Sequence, residues 1–460
     1  MSAGRLTRRK VATAFAAALF CATSVTSAFG ASRNVVWSEP GAKLVDDRLL
    51  IMLAPAADRE RVKNDLLQCT HATTIEDIHF NKDDSSIFVL SPQKGKREQT
   101  IKKISQVASQ HQEITEVTRN YRMTACTHPK SERRPKPPSP GTGPDDRHWH
   151  DQWNLGNMNW GQAWSNYASQ QTNQATVVIL GSGCVPTQND ELGPHITEYD
   201  AFQKDLPIIP VQGGGDVEGD IDCSVPGAKT NNRKFIAGAA SFQESLPCHV
   251  ILMKVVRHGA PDKVAVTRAV AFLVNNQSTL TGGHGFPASL SYNTQHFYTD
   301  PYWQNIGQKL LNANALLVMA AGDVKNAYRN EPTGKIAVVQ ATDYDNNLFL
   351  VRVQGDALAA PGAIQPAIID GKYNHLHDGS SFSAPLWSSC IAMLIAFNPN
   401  LSAAQANQIL VNTGTQNTSQ GNKDGTNPWP YVIPNLNAAI NTALNGPIPS
   451  GSMPPTVPGS

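Results

Sequence analysis

Few stretches of this 460-residue chain combine reactive side chains with a spacing that could do chemistry. The clearest is Asp378-Gly379-Ser380-Ser381-Phe382-Ser383-Ala384-Pro385, which feeds Leu386, Ile391, Ala392, Leu394, Ile395 and Phe397. A run that is apolar on most faces predicts a buried helix. Ser381 falls where that helix begins, and there the unpaired N–H groups and the helix dipole favour developing negative charge. A serine so placed is either a nucleophile or an N-cap, and the cap is the commoner use of the residue type.

Other polar groups must be weighed beside it. His195, His249, His284, His375 and His377 are the candidates for a base, and each is expected to be a surface or structural histidine. The pairs His148-Trp149-His150 and His375-Leu376-His377 lack the carboxylate or cysteine support that a metal site needs. Asp190, Glu191, Asp216, Asp220 and Asp222 read as solvated loop residues without calcium-loop spacing. The net charge of +1 argues against nucleic acid or an acidic surface as partner.

The elements that would position these groups follow from periodicity. Arg5, Arg8, Arg9 and Lys10 precede the short apolar stretch 11–25, so residues 1–30 read as an export signal and the mature chain as secreted or periplasmic, off the membrane. Six cysteines then remain, an even number that an oxidising compartment allows to pair. Cys223 with Cys248 and Cys69 with Cys126 are the expected bridges, while Cys184 is unassigned and Cys390 fits a buried thiol equally well. Residues 46–125 predict β-α-β-β-α-β, a ferredoxin-like module. The Pro-, Lys- and Gly-rich stretch 127–146 reads as a linker. Residues 147–445 alternate strands with helices, which predicts α/β architecture, a parallel sheet covered on both faces. Within it a helix is expected over 235–240 and a capping box at Ser402 and Gln405. The tail 446–460 is too rich in Pro, Gly and Ser to pack.

In this order and spacing, several stretches resemble the subtilisin-like serine proteases, the subtilases. Gly379 to Pro385 resembles their Gly-Thr-Ser-Met-Ala-x-Pro nucleophile motif. Leu317 to Asp323 is similar to their strand ending Ala-Ala-Gly-Asn, and Leu358 to Gly362 to their Ala-Pro-Gly turn. Ser289-Leu290-Ser291 resembles the strand that pairs with substrate backbone, and the 46–125 module resembles their inhibitory propeptide. The resemblance implies a subtilisin-like α/β fold and no cofactor beyond a structural calcium, since such loops often hold one in this family.

It also implies which positions should do the chemistry. Gly181 stands where the family carries its aspartate, Asn232 where it carries the histidine base, and Asp323 where it carries the oxyanion-hole asparagine. Only Ser381 matches. A serine hydroxyl is a weak nucleophile without a base, and loss of the histidine in a subtilisin costs on the order of 10⁶ in turnover. The expectation is therefore an inactive pseudoprotease whose cleft binds extended peptide, its own leader module included, along Ser289-Leu290-Ser291 by β-augmentation. The alternative is a serine endopeptidase that uses Ser381 with an unorthodox base, and a further one a non-enzymatic effector or scaffold.

Overall fold

A computed structural model describes residues 44–70, 72–121, 124–125, 128–129, 139–184, 191–192, 195–209, 217–293, 300–322, 335–349, 358–363, 365–418 and 430–450. The expected export signal, Cys126, Asp190, Asp216, Asp323, half of the linker and the end of the tail lie outside them.

The first unit runs β1 (Leu44–Leu53), α1 (Arg59–Cys69), β2 (Ala72–Phe80), β3 (Ser85–Pro92), α2 (Arg97–Gln110) and β4 (Ile114–Tyr121). Its sheet is antiparallel in the order β2-β3-β1-β4, as the ferredoxin-like reading requires. Side chains alternate across β1 with the strand period of two. Leu49, Ile51 and Leu53 pack with Val62 and Leu66 of α1 and Ile104 and Val107 of α2. Leu50 and Met52 face the other way, into the larger domain.

After two short strands, β5 (Thr124–Ala125) and β6 (His128–Pro129), the larger domain contributes α3 (Trp160–Tyr167), β7 (Thr176–Gly181), β8 (Ile196–Asp200), β9 (Ile208–Ile209) and α4 (Val217–Gly227). Next come β10 (His249–Lys254), α5 (Lys263–Asn275), β11 (Phe286–Leu290), β12 (Tyr292–Asn293), α6 (Pro301–Asn312) and β13 (Ala315–Ala320). The chain continues through β14 (Ile336–Thr342), β15 (Leu348–Phe349), β16 (Leu358–Pro361), β17 (Gln365–Ile369), β18 (Lys372–Asp378) and α7 (Ser380–Phe397). It closes with α8 (Ala403–Thr413), β19 (Thr415–Thr418), β20 (Pro430–Ile433) and α9 (Leu436–Asn445).

The main sheet runs β19-β20-β16-β14-β13-β11-β7-β10-β8-β9, its centre parallel. Val177 and Ile179 of β7 point to the layer holding α7, whereas Val178 and Leu180 point to α5 and α6. Covering both faces is why these strands read as unbroken apolar runs. Helix α7 is 94% buried and has mean hydropathy 1.4, a core helix rather than a membrane span.

Helix ends follow the sequence closely. Asp262 caps α5 by accepting from Val264 and Ala265 N–H, and Ser402 with Gln405 forms the expected capping box of α8. The module docks its open sheet face on α5 and α6. There Arg268 holds Glu76 with two charge-assisted bonds of 2.7 and 2.5 Å, and Lys309 lies 3.2 Å from Asp83.

Two expectations need correction. Residues 235–240 are not helical: Gln152 clamps Ala237 through both its N–H and C=O, at 2.7 and 2.8 Å, and Thr230 holds Gly238. These side-chain bonds satisfy the backbone that a helix would otherwise have paired. The helix lies earlier, at α4, across the expected acidic loop. Glu218, Asp220 and Asp222 are each under 5% exposed there. Glu191 is buried as well.

Candidate active site

The site is built where α7 meets the ends of the central strands. Helix α7 starts after Gly379, and its N-cap makes no side-chain hydrogen bond. Ser381 therefore sits inside the first turn and is not the cap. Around it, Ser380 Oγ accepts the N–H of Gly322 at 3.2 Å, and Ser383 Oγ donates to the carbonyl of Ala360 at 2.9 Å. Gly379 N–H donates to Gly362 O at 2.9 Å. A Cβ on Gly362 would come within 2.4 Å of the Ala341 methyl and 2.8 Å of Gly379 O, so the Ala-Pro-Gly turn needs its glycine to seat the serine turn.

Helix α4 packs against β7, β17 and α7. Its carboxylates have distinct positions. Asp220 accepts the N–H of Asp370 at 2.7 Å and so anchors the turn between β17 and β18. Asp222 accepts a hydrogen bond from the Ser291 hydroxyl, and Ser291 Oγ is also 3.0 Å from the backbone carbonyl of Ser381. Glu218 lies four residues before Asp222, on the same helical face.

Gly181 ends β7 as expected, but its surroundings change its meaning. A Cβ built there would lie 3.7 Å from Asp222 Oδ2. The neighbouring helix thus brings a carboxylate close to the end of the strand. The i, i+4 spacing of Glu218 and Asp222, interleaved with Ile221, Cys223 and Val225, is the available signal. Sequence reasoning misses it because charge in a sequence reads as solvent exposure.

Asn232, at the position the resemblance gives to the histidine, belongs to a different cluster. Its side-chain amide donates to Glu191 at 2.8 Å, and its backbone N–H lies 3.3 Å from Asp146, which also takes the N–H of Asn231 at 2.8 Å. Burial pushes Glu191 up to about 7 and Asp146 up to about 6. The candidate histidines have other partners. His195 is within 2.6 Å of the carbonyl of Gly227, at the far end of α4, and His249 is 3.3 Å from the Thr197 hydroxyl. Burial lowers both below the ordinary histidine value. His284 is exposed, and the side chains of His375 and His377 lie outside the described residues. His148 stacks on Tyr373 with ring centroids 3.6 Å apart. Among the described residues no group of three or more His, Cys, Asp and Glu could hold a metal ion.

The strand expected to bind peptide is occupied on both sides at Ser289. Ser289 pairs with Ile179 on one side and Val318 on the other, so neither edge of β11 is open at that residue. Ser291 is bonded to the serine turn at the start of α7. The edge that does receive extended chain is β12, where Tyr292 pairs with Ala125 and Asn293 with Thr124, antiparallel. Just beyond, His377 and Asp378 pair with Pro129 and His128. Chain leaving the first module is therefore held at both ends of a short span, once beside Ser291 and once on the strand that runs into Ser381.

Residues 287–427 match the subtilase family, a segment that contains Ser291, the Ala-Pro-Gly turn and the serine turn. Among solved structures, the chain is similar to fervidolysin from Fervidobacterium pennivorans, a keratinolytic enzyme related to subtilisin. The TM-score is 0.64 at 16% identity, over 90% of this chain and 63% of that one, so this chain spans less than two thirds of that enzyme's length. A second similar structure comes from the proteases of Pseudoalteromonas arctica, with TM-score 0.49 and 17% identity over 66% of this chain and 100% of that one. No curated protein matches the chain. The serine turn thus lies inside the segment that matches the subtilase family, and the fold around it is subtilisin-like.

Proposed function

We propose that this protein is a serine endopeptidase in which carboxylates of α4 replace the missing aspartate and histidine. The observation that carries the reading is Asp222: its carboxylate reaches the space beside Gly181 and is joined through Ser291 to Ser381. In the proposed reaction, the Ser381 hydroxyl attacks the peptide carbonyl while the Glu218 carboxylate takes its proton, then returns it to the leaving amine. Asp222 holds the charge and orientation of that pair. Asp323, the next residue after Gly322, is assigned the developing oxyanion; it would donate only when protonated, as a carboxylic acid in an apolar site can.

Both assignments favour acid. A carboxylate base stays ionised well below the pH at which histidine protonates, and a donor acid is lost as pH rises. The substrate is extended peptide or protein, added to the edge of β12 by main-chain hydrogen bonds. The first substrate in reach is the chain's own leader, with Cys126 and Thr127 between the two pinned pairs. The basic-then-apolar N-terminus supports export, and a structural calcium remains part of the family expectation.

A second reading, an inactive peptide-binding protein, is favoured by one observation: Asn232 is engaged with Glu191 and Asp146, in a cluster of its own. Intact mass of wild type and Ser381→Ala, incubated at pH 4 and pH 7, separates the two. Loss of the leader by cleavage between residues 125 and 128, in wild type only and faster at pH 4, supports the peptidase. Equal masses, apart from the substitution, support the inactive reading and with it a cleft that only binds, or a scaffold.

A further inference from the structure

Two cysteines meet where α4 crosses the end of β7. Cys184 follows Gly183 in the loop after β7, and Cys223 lies on α4; they are 2% and 0% exposed. Both are free thiols in the structure, and interaction with Cys184 together with burial pushes the Cys223 thiol well above its ordinary value. A second contact brings the same two segments together one helical turn earlier. A Cβ on Gly219 would lie 1.9 Å from Gly183 O and 2.5 Å from Ser182 Oγ, so only glycine lets α4 approach the loop this closely. Gly219 and Cys223 are four residues apart, so the helix presents both on one face toward the loop. Cys248, the expected partner of Cys223, instead directs its thiol to the carbonyl of His249 at 3.6 Å.

We infer that Cys184 and Cys223 close a disulfide that fastens α4 to the end of β7. Each thiol gives up its hydrogen and one S–S bond forms. The two electrons and two protons pass to an incoming disulfide, that of oxidised glutathione or of a thiol-disulfide oxidase, which leaves as two thiols. Only a thiolate attacks a disulfide, and the buried Cys223 thiol, beside its partner and in apolar surroundings, is held neutral in the folded chain. The bond therefore forms while the chain is folding and then persists. This inference does not depend on the catalytic reading, since the staple would fix α4 in an inactive protein as well.

The test is to produce the full chain by export to the bacterial periplasm, alkylate free thiols in denaturant, digest without reductant and map the peptides by mass. The expected result is one cross-linked peptide pair containing Cys184 and Cys223, absent from Cys184→Ser and Cys223→Ser. Reduction should lower the Tm of wild type by about 4 °C, as a bridge closing a loop of about forty residues implies for a chain of this size. The variants' Tm should not respond to reductant by this amount. Full alkylation of Cys184 and Cys223, or linkage of Cys223 to Cys248, overturns the inference.

Discussion

Replacing Glu218 by Gln and Asp222 by Asn, singly, tests the proposed chemistry without removing volume from α4. Both substitutions keep an oxygen that can accept a hydrogen bond, so Ser291 retains a partner at position 222 and Tm should move by no more than a few degrees. A positioned general base contributes typically 10²–10⁴ in rate, about 3–5 kcal/mol of barrier. Peptide hydrolysis at pH 4.5, followed with an internally quenched substrate, should therefore fall at least a hundredfold in kcat for Glu218→Gln. KM should change little, because in the proposed mode the substrate's main chain pairs with Tyr292 and Asn293, where the chain's own Ala125 and Thr124 pair, and the substitution does not touch them. The reverse experiment sharpens the test. If Gly181 and Asn232 were simply vacated catalytic positions, Gly181→Asp with Asn232→His should create activity near pH 8. The structure gives the opposite expectation: a Cβ at 181 already lies 3.7 Å from Asp222 Oδ2, so a second carboxylate there would face a like charge. The double variant should lose activity at pH 4.5 and gain none at pH 8. Unchanged kcat in Glu218→Gln, with Ser381→Ala inactive, would refute the carboxylate-base reasoning.

Ser291→Ala removes the hydroxyl that links Asp222 to the Ser381 carbonyl; stability should fall by about 1–3 kcal/mol in denaturant titration, with kcat lowered at least tenfold. Glu191→Gln tests the buried carboxylate held at about 7. Because the folded protein binds that proton more tightly than the unfolded chain, wild-type stability should decline from pH 4.5 to pH 7, by about 3 kcal/mol from this group. The variant should flatten that decline and melt higher than wild type at pH 8 but not at pH 4. Glu76→Ala leaves the Arg268 guanidinium, 10% exposed between module and larger domain, with the carbonyls of Ala201 and Phe202 but no carboxylate. That should cost about 3–5 kcal/mol in the stability of the uncleaved chain, read by denaturant titration.

What can be read from the sequence divides along physical lines. Periodicity locates the α/β sheet, because strands covered on both faces leave unbroken apolar runs such as Val177 to Leu180, and it orders the ferredoxin-like module. Caps are legible at Ser402 and Gln405, since the hydrogen bonds are local. Long-range pairings are not. Nothing local says that Ser289 has both edges filled, or that Tyr292 and Asn293 receive the chain at Thr124 and Ala125. Nor does local sequence bring Cys223 to Cys184 rather than Cys248. The 235–240 stretch looks helical because its residues are small, but Gln152, more than eighty positions away, decides its backbone.

The deeper difficulty is alignment by motif. Matching Asn232 to the family's histidine assumes that the base must arrive in the family's sequence context, and that an acidic stretch lies in water. Burial reverses the second assumption. Three carboxylates under 5% exposed on one 11-residue helix are costly to keep. Asp220 offsets its cost by anchoring the Asp370 turn, and Asp222 by receiving Ser291. Glu218 lies one turn from Asp222, on the same face of the helix, the side that carries the link to Ser381. In the proposed reading, these carboxylates beside a helix-start serine supply what acyl transfer needs. Asp222 Oδ2 stands 3.7 Å from where a side chain at 181 would begin, and in the proposed reading that carboxylate takes the place of the strand-end aspartate.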